Sequence, residues 1–361
     1  MKETKCALCG KTLTKEDTHI HRGKGICNQC YEDNTVFCDC CGTRVWHDEV
    51  EGNDNTRLCY SCYNNNYTHC EQCGTLIHND SAFYFDDSDY PYCSECYDDL
   101  NNRAIKEYGY KPEPIFHGSG NLFMGVELEI DDGGEYNENA DKILCIGNRN
   151  GDHIYCKHDG SLEAGFEIVS HPMTLEYHTN NMPWEEIMKK AKHMGYNSHR
   201  AGTCGLHIHV NRDAFGDTNE EQEAAIARIV YFVEKHWNEL LKFSRRTEDA
   251  MRRWASRYGI SHNTEDTYKK AKDKRMERYV AVNLDNFNTI EFRMFRGTLR
   301  YSTFVATLQL VNKICELAKF LTDEELERLS WSDIMLNLDK NKYPELINYL
   351  KTKRLYINEE V

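Results

Sequence analysis

Six C-x2-C pairs and four alternating segments hold the residues of this sequence that could do chemistry. Three of the pairs are followed by glycine: "CALCG" (Cys6, Cys9), "CDCCG" (Cys38, Cys41) and "CEQCG" (Cys70, Cys73), starting at intervals of 32. After gaps of 17, 17 and 19 residues come the second pairs: Cys27 and Cys30, Cys59 and Cys62, Cys93 and Cys96. A repeat of about 32 residues with this spacing reads as three zinc units. Four thiolates close a tetrahedral shell, so each site is structural rather than catalytic. A unit this small cannot bury a core of its own, and metal binding must supply most of its folding free energy. Cys40 is left over as a bystander. His19, His21, His47, His69 and His78 lie nearby, but the cysteines already complete three sites. The competing reading is a disulfide scaffold. It is disfavoured because "MKETKCALCG" lacks an apolar leader, which points to the cytoplasm, where thiols stay reduced.

The second set is carried by strand-like segments. In "GVELEI", Val126, Leu128 and Ile130 point one way and Glu127 and Glu129 the other. In "GLHIHV", His207 and His209 oppose Leu206, Ile208 and Val210; in "TIEFRMF", Glu291 and Arg293 oppose Ile290, Phe292 and Met294. In "SLEAGFEIV", Glu163 and Glu167 oppose Leu162, Phe166 and Ile168. A solvated strand face explains one such segment. Four faces of mainly Glu, His and Arg point instead to one concave, metal-binding sheet. So many carboxylates repel unless cations separate them, and carboxylate-rich sets suit Mg²⁺ or Mn²⁺. Arg293 and the nearby Arg296 add guanidinium groups, and divalent cations with guanidinium groups indicate phosphate. No P-loop or protein-kinase signature is present, so any ATP is held by metals and side chains.

Charge narrows the partners. Residues 1–100 carry 8 Lys+Arg against 18 Asp+Glu, a net of −10, and the remainder 36 against 41, a net of −5. That disfavours nucleic acid and anionic membranes, and no apolar run is long enough to span a bilayer. The zinc units are expected to bind a protein or dock on the downstream domain.

Between the strands the sequence predicts packing helices over 183–196, 218–243 (with a Thr218–Glu221 capping box) and 302–321, the last burying Cys315. Two more are expected in the tail, capped by Thr322 and Ser330. A short helix after residue 101 should end at a junction near Pro112 and Pro114. The expected domains are zinc units at 1–34, 35–66 and 67–110, a catalytic domain at 117–321 and a helical extension at 322–361.

The segments "FMGVELEI", "DGSLEAGFEIVSHPMT", "CGLHIHV" and "RYVAVNLDNFNTIEFRMFRGTL" together resemble the amidoligases of the glutamine synthetase and glutamate–cysteine ligase superfamily, over about 122 to 320. The four-cysteine units resemble zinc ribbons or LIM-like treble clefs, but seven residues separate successive units and every ligand is Cys. The resemblance implies an α+β fold: an antiparallel, glutamine-synthetase-like open cup with flanking helices, preceded by the three zinc units. It implies ATP- and Mg²⁺-dependent joining of a carboxylate to an amine through an acyl phosphate. By the family's motifs, Glu127, His207 and Glu291 correspond to ligands of the ion nearer the phosphates. Glu129 and Glu167, with either Glu163 or Asp159, correspond to ligands of another. His209 and Arg293 correspond to phosphate contacts, with Arg296 and Arg278 as weaker candidates. Members often lie in phage or mobile gene clusters, which implies a peptide, protein tag or cell-wall substrate that the zinc units could present.

Simpler readings stand beside these. Asp159-Gly160 reads as a turn, His158 and His171 as rim residues, and His207 and His209 as hydrogen-bonded core histidines. A metal-dependent hydrolase is one alternative function, although "HIHVNR" lacks the H-x-H-x-D-H continuation. A zinc-unit adaptor with a decayed ligase domain is the other, and the intact Glu/His/Arg set argues against decay.

Overall fold

Glycine turns each cysteine knuckle back on itself. Gly10, Gly42 and Gly74 adopt φ of +77°, +71° and +71°, a conformation costly for other residues. Their amides bond the carbonyls of Cys6, Cys38 and Cys70. The second pair of each unit opens a short helix, Asn28–Asp33, Tyr60–Asn66 or Ser94–Asn101, with Cys27, Cys59 or Cys93 at the N-cap. Two-stranded antiparallel hairpins fill the intervals. The structure is a computed structural model that describes residues 4–85, 89–273 and 279–356. It divides into two units, Met1–Asn102 and Arg103–Val361.

The second unit is built on a seven-stranded sheet. Its strands are β1 (Ile105–Lys106), β2 (Met124–Ile130), β3 (Ile154–Lys157), β4 (Phe166–Ser170), β5 (Gly205–Asn211), β6 (Val282–Asn283) and β7 (Thr289–Arg296). The spatial order is β6-β7-β5-β2-β4-β3-β1. All pairs are antiparallel except β3 with β1, so the sheet is mixed at one edge rather than wholly antiparallel. Val126, Leu128, Phe166, Ile168, Leu206, Ile208, Ile290 and Phe292 are each fully buried on one face. There they join the apolar side chains of helices Trp184–His193, Asn219–Lys235 and Tyr301–Phe320 in one core.

Several expectations shift. The helix expected after residue 101 lies before it, at Ser94–Asn101. The junction expected near Pro112 and Pro114 falls inside the second unit, because Ile105 and Lys106 already pair with Cys156 and Lys157. The 218–243 helix breaks at His236 into Asn219–Lys235 and Trp237–Ser244, while its Thr218–Glu221 capping box forms as read. "SLEAGFEIV" is strand only from Phe166 onward. Among the described residues the tail holds three helices, Asp323–Arg328, Trp331–Leu336 and Pro344–Thr352. Leu346 and Leu350 of the last are fully buried in the main core, so this segment is part of the unit and not an appendage.

One irregularity matters for the site. β5 and β7 pair Ile208 with Phe292 but Leu206 with Phe295, so two steps on one strand span three on the other. Strict alternation would send Arg296 to the core face with Phe292. The extra residue flips the phase, and Arg296 comes opposite Gly205 on the polar face.

Candidate active site

Directly paired residues of neighbouring strands share a face, so the register lays three rows across the open side of the sheet. The first runs Asn283, Glu291, His209, Gly125. The second runs His207, Glu127, Val169, Tyr155. The third runs Arg296, Gly205, then Glu129, Glu167, Lys157 and Lys106.

The centre is dense. One ligand atom each from Glu127, His207 and Glu291 lies within 4.8 Å of the others. His207 Nδ1 is 3.2 Å from Glu127 Oε2 and 3.6 Å from Glu291 Oε1, and its Nε2 is 3.7 Å from Glu129 Oε1. His209 Nε2 sits 3.2 Å from Glu127 Oε1 and 3.9 Å from Glu291 Oε1, yet it is buried without a well-directed hydrogen bond. Two carboxylates and an imidazole converging beside an orphaned ring nitrogen is a donor set that fits a divalent cation. Arg293 donates to Glu291 Oε1, and Asn283 Nδ2 donates to Glu291 Oε2 at 3.0 Å. The Gly205 amide donates to Glu129. A Cβ at residue 205 would lie 2.5 Å from His207 Nε2 and 3.0 Å from Arg246 Nη2, so the glycine leaves both side chains room beside that amide.

Electrostatics separates the carboxylates. Burial alone would raise Glu127, but His209 and then His207 outweigh it and hold this carboxyl well below its usual range. Burial lowers His209, and Glu127 reverses that, leaving the imidazole above its ordinary value. Glu129 is raised by burial. Glu167 is raised well above the carboxylate range by burial and by the charge of Glu127, against the pull of Lys157. A cation between Glu129 and Glu167 would restore both to the ionised form.

The remaining expected residues divide. Asp159 Oδ1 accepts the Ser161 amide at 2.7 Å, capping its own turn, while its charge still reaches Glu129. Glu163 is exposed. Arg293 and Arg296 both lie on the polar face. Arg278 lies outside the described residues. His158 pairs with Glu135 at 2.8 Å, and buried His171 accepts the Ile115 amide through Nδ1.

Four residues escaped the sequence reading. Lys157 Nζ pairs with Glu167 Oε1 at 2.9 Å; its alternation in "IYCK" was the available signal. Asn283 carries no periodic signal on a two-residue strand. Arg246 reaches the Glu129 charge from the end of a helix. Asp131 is buried and accepts from Thr203 Oγ1 at 2.7 Å and from the amides of Ala164 and Glu163 at 2.6 and 3.1 Å. It fixes the 159–165 turn beside Glu167.

Burial would raise the Asp131 carboxyl, but those bonds outweigh it and hold it below the usual range. The stability it contributes is complete above the unfolded-state pKa of about 4 and is lost as pH falls through the lower folded value. Asp131→Ala should therefore cost about 3 kcal/mol near neutral pH in urea unfolding. The deficit should shrink in acid. A loss that does not vary with pH would refute the ionised-acceptor role.

In the first unit, each group of four cysteines, Cys6/Cys9/Cys27/Cys30, Cys38/Cys41/Cys59/Cys62 and Cys70/Cys73/Cys93/Cys96, brings its sulfurs within 4.8 Å of one another. The Cys9–Cys27, Cys41–Cys59 and Cys73–Cys93 sulfurs are 3.6, 3.8 and 3.8 Å apart. Four sulfurs at about 2.3 Å from a tetrahedral zinc would be separated by about 3.8 Å. The Cys9 amide, then those of Cys27 and Leu8, pull the Cys6 thiol down to about 6, toward the thiolate that binds metal. Cys40 accepts from Asn66 Nδ2. His19 stacks on Tyr31 and His21 on Trp46, so those two rings are used in packing.

Residues 147–315 match the family described as "Putative amidoligase enzyme". No curated protein matches the chain. Among solved structures it is similar to a bifunctional glutathione synthetase from Pasteurella multocida, at 14% identity and a TM-score of 0.35, over 64% of this chain and 46% of that one. It is also similar to the complex between the prokaryotic ubiquitin-like protein Pup and its ligase PafA, at 7% identity and a TM-score of 0.29, over 64% of this chain and 58% of that one. The chain thus spans about half the length of each. The family match contains Glu167, His207, His209, Glu291, Arg293 and Arg296 and begins after Glu127 and Glu129, which β2 brings to them by pairing with β5. Residues 147–315, which carry five of the seven strands of this sheet, are the part of the chain that matches that family.

Proposed function

We propose that the second unit is an ATP-dependent carboxylate–amine ligase. The observation that carries this reading is the convergence of Glu127, His207 and Glu291 on the same face as Arg293 and Arg296. Magnesium and ATP would supply charge neutralisation and a transferable phosphoryl group. Glu127, His207 and Glu291 hold one cation, and Glu129 and Glu167, with Asp159 nearby, hold another. Arg293, tethered to Glu291, presents its guanidinium to the phosphoryl oxygens. His209, whose Nδ1 faces Thr289 Oγ1 at 3.3 Å, would offer its unbonded Nε2 to the same phosphoryl oxygens. In the first half-reaction the substrate carboxylate attacks the γ-phosphorus and ADP leaves. In the second the amine attacks the acyl carbon, phosphate leaves, and the amine gives up a proton. The three cysteine tetrads hold one Zn²⁺ each.

The test is incubation of the full chain with ATP, Mg²⁺ and pooled amino acids or short peptides. ADP and phosphate should appear only when both a carboxylate and an amine are present. Metal-dependent hydrolysis without nucleotide would replace this reading with a hydrolase, and absence of any turnover would leave a zinc-unit adaptor.

A further inference from the structure

We propose that a second cavity, at the start of helix Tyr301–Phe320, binds a small molecule bearing two or more oxyanionic groups. The cavity has a volume of about 680 Å³ and is walled by residues 192–200, 298–303 and 345–353, with Arg245. Lys192, Arg200, Arg245, Arg300 and Lys353 line it against a single carboxylate, Glu345. None of the five forms an ion pair among the described residues, although the chain as a whole has a net charge of −15. Arg245 spends its donors on the carbonyls of Arg296 and Gly297, and its buried Nε has no partner. Burial and then the charges of Arg296, Arg245, Lys353 and Arg200 hold the His199 imidazole below its ordinary value. That is the response expected of a local positive field.

Two further features point to a ligand. The helix is 20 residues long, and Arg300 at its N-cap supplies no side-chain cap; the Thr303 amide turns back to the Arg300 carbonyl, which leaves the Tyr301 and Ser302 amides and the positive end of the dipole at the cavity. Ser198, which is 3% exposed and also lines the cavity, has a hydroxyl with no well-directed hydrogen bond and only the weakly accepting Cys204 sulfur beside it. A buried hydroxyl left unpaired costs free energy unless a bound group satisfies it. Gly297 makes room for it, since a Cβ there would fall 2.2 Å from Ser198 Oγ. Carboxylates and phosphates share the chemistry that this set recognises. The concave wall and limited volume select a small ligand over a nucleic acid.

The inference does not depend on the ligase reading, and its test uses neither ATP nor Mg²⁺. Zinc-loaded full chain is titrated calorimetrically, at low salt, with tripolyphosphate and separately with triglutamate. At least one should bind, and which one does identifies the source of the oxyanions. The Arg200→Ser/Arg300→Ser pair, both exposed and therefore safe for folding, should weaken binding roughly tenfold or more. Ser198→Ala should weaken it several-fold, and Arg293→Gln in the cup should leave it unchanged. Absence of binding by both anions overturns the proposal. So does binding that the cavity variants leave intact, or that Arg293→Gln removes.

Discussion

Glu127→Gln is expected to lower kcat for ADP release by about 10²–10³-fold while the protein stays folded. The substitution keeps the side chain's size and removes only its charge. That charge is close to both imidazoles, 3.2 Å from His207 Nδ1 and 3.2 Å from His209 Nε2. Without it the convergent set loses one of its two carboxylates, and Mn²⁺ affinity should fall about 10–100-fold. Arg293→Gln supplies the contrast. On the proposed roles, turnover should drop, because no guanidinium would face a bound phosphoryl group, but Mn²⁺ affinity should hold, since Glu127, His207 and Glu291 all remain. Undiminished turnover in Glu127→Gln would mean that no ion is held at this point of the sheet.

The second large effect is in the zinc units. Zinc binding to four-cysteine peptides is worth about 10–16 kcal/mol at neutral pH, and that free energy is folding free energy. Among the described residues, the core around the Cys6–Cys30 tetrad is Cys6, Ile26 and Cys27 with a few half-buried neighbours, too little to stand alone. Cys6→Ser should lower bound zinc from three to two per chain by elemental analysis. It should also expose the amides of the His19–His21 and Lys24–Ile26 hairpin to hydrogen exchange. Cys40→Ser, which removes a sulfur from outside the three tetrads, should retain all three ions. Three zinc ions in Cys6→Ser would reject the assignment of ligands.

The zinc units and the polar strand face were legible because both are local. A C-x2-C turn followed by glycine fixes two sulfurs within five residues, and period-two alternation declares which side chains share a face before any partner strand is known. The order of the strands was not local. Glu127 and Glu129 reach His207 and Glu167 only through the pairing of β2 with β5 and β4.

Alternation also fails where the backbone leaves strand geometry. Glu163, four residues before Glu167, belongs to a turn tied down by Asp131 and ends exposed. Arg296 breaks the phase of "TIEFRMFR" and reaches the site because an extra residue is inserted between paired strands.

From its own residues the chain determined that it has three four-cysteine groups and four strand faces bearing Glu, His and Arg. Periodicity and spacing are properties of neighbours in sequence, and they suffice for that. Only the tertiary structure decided which of those faces lie side by side, that Lys157 and Asn283 join them, and that cations from four distant segments line a second cavity. Strand order, register slips and the packing of the tail helix are set by the burial of a shared core, and no local pattern encodes them.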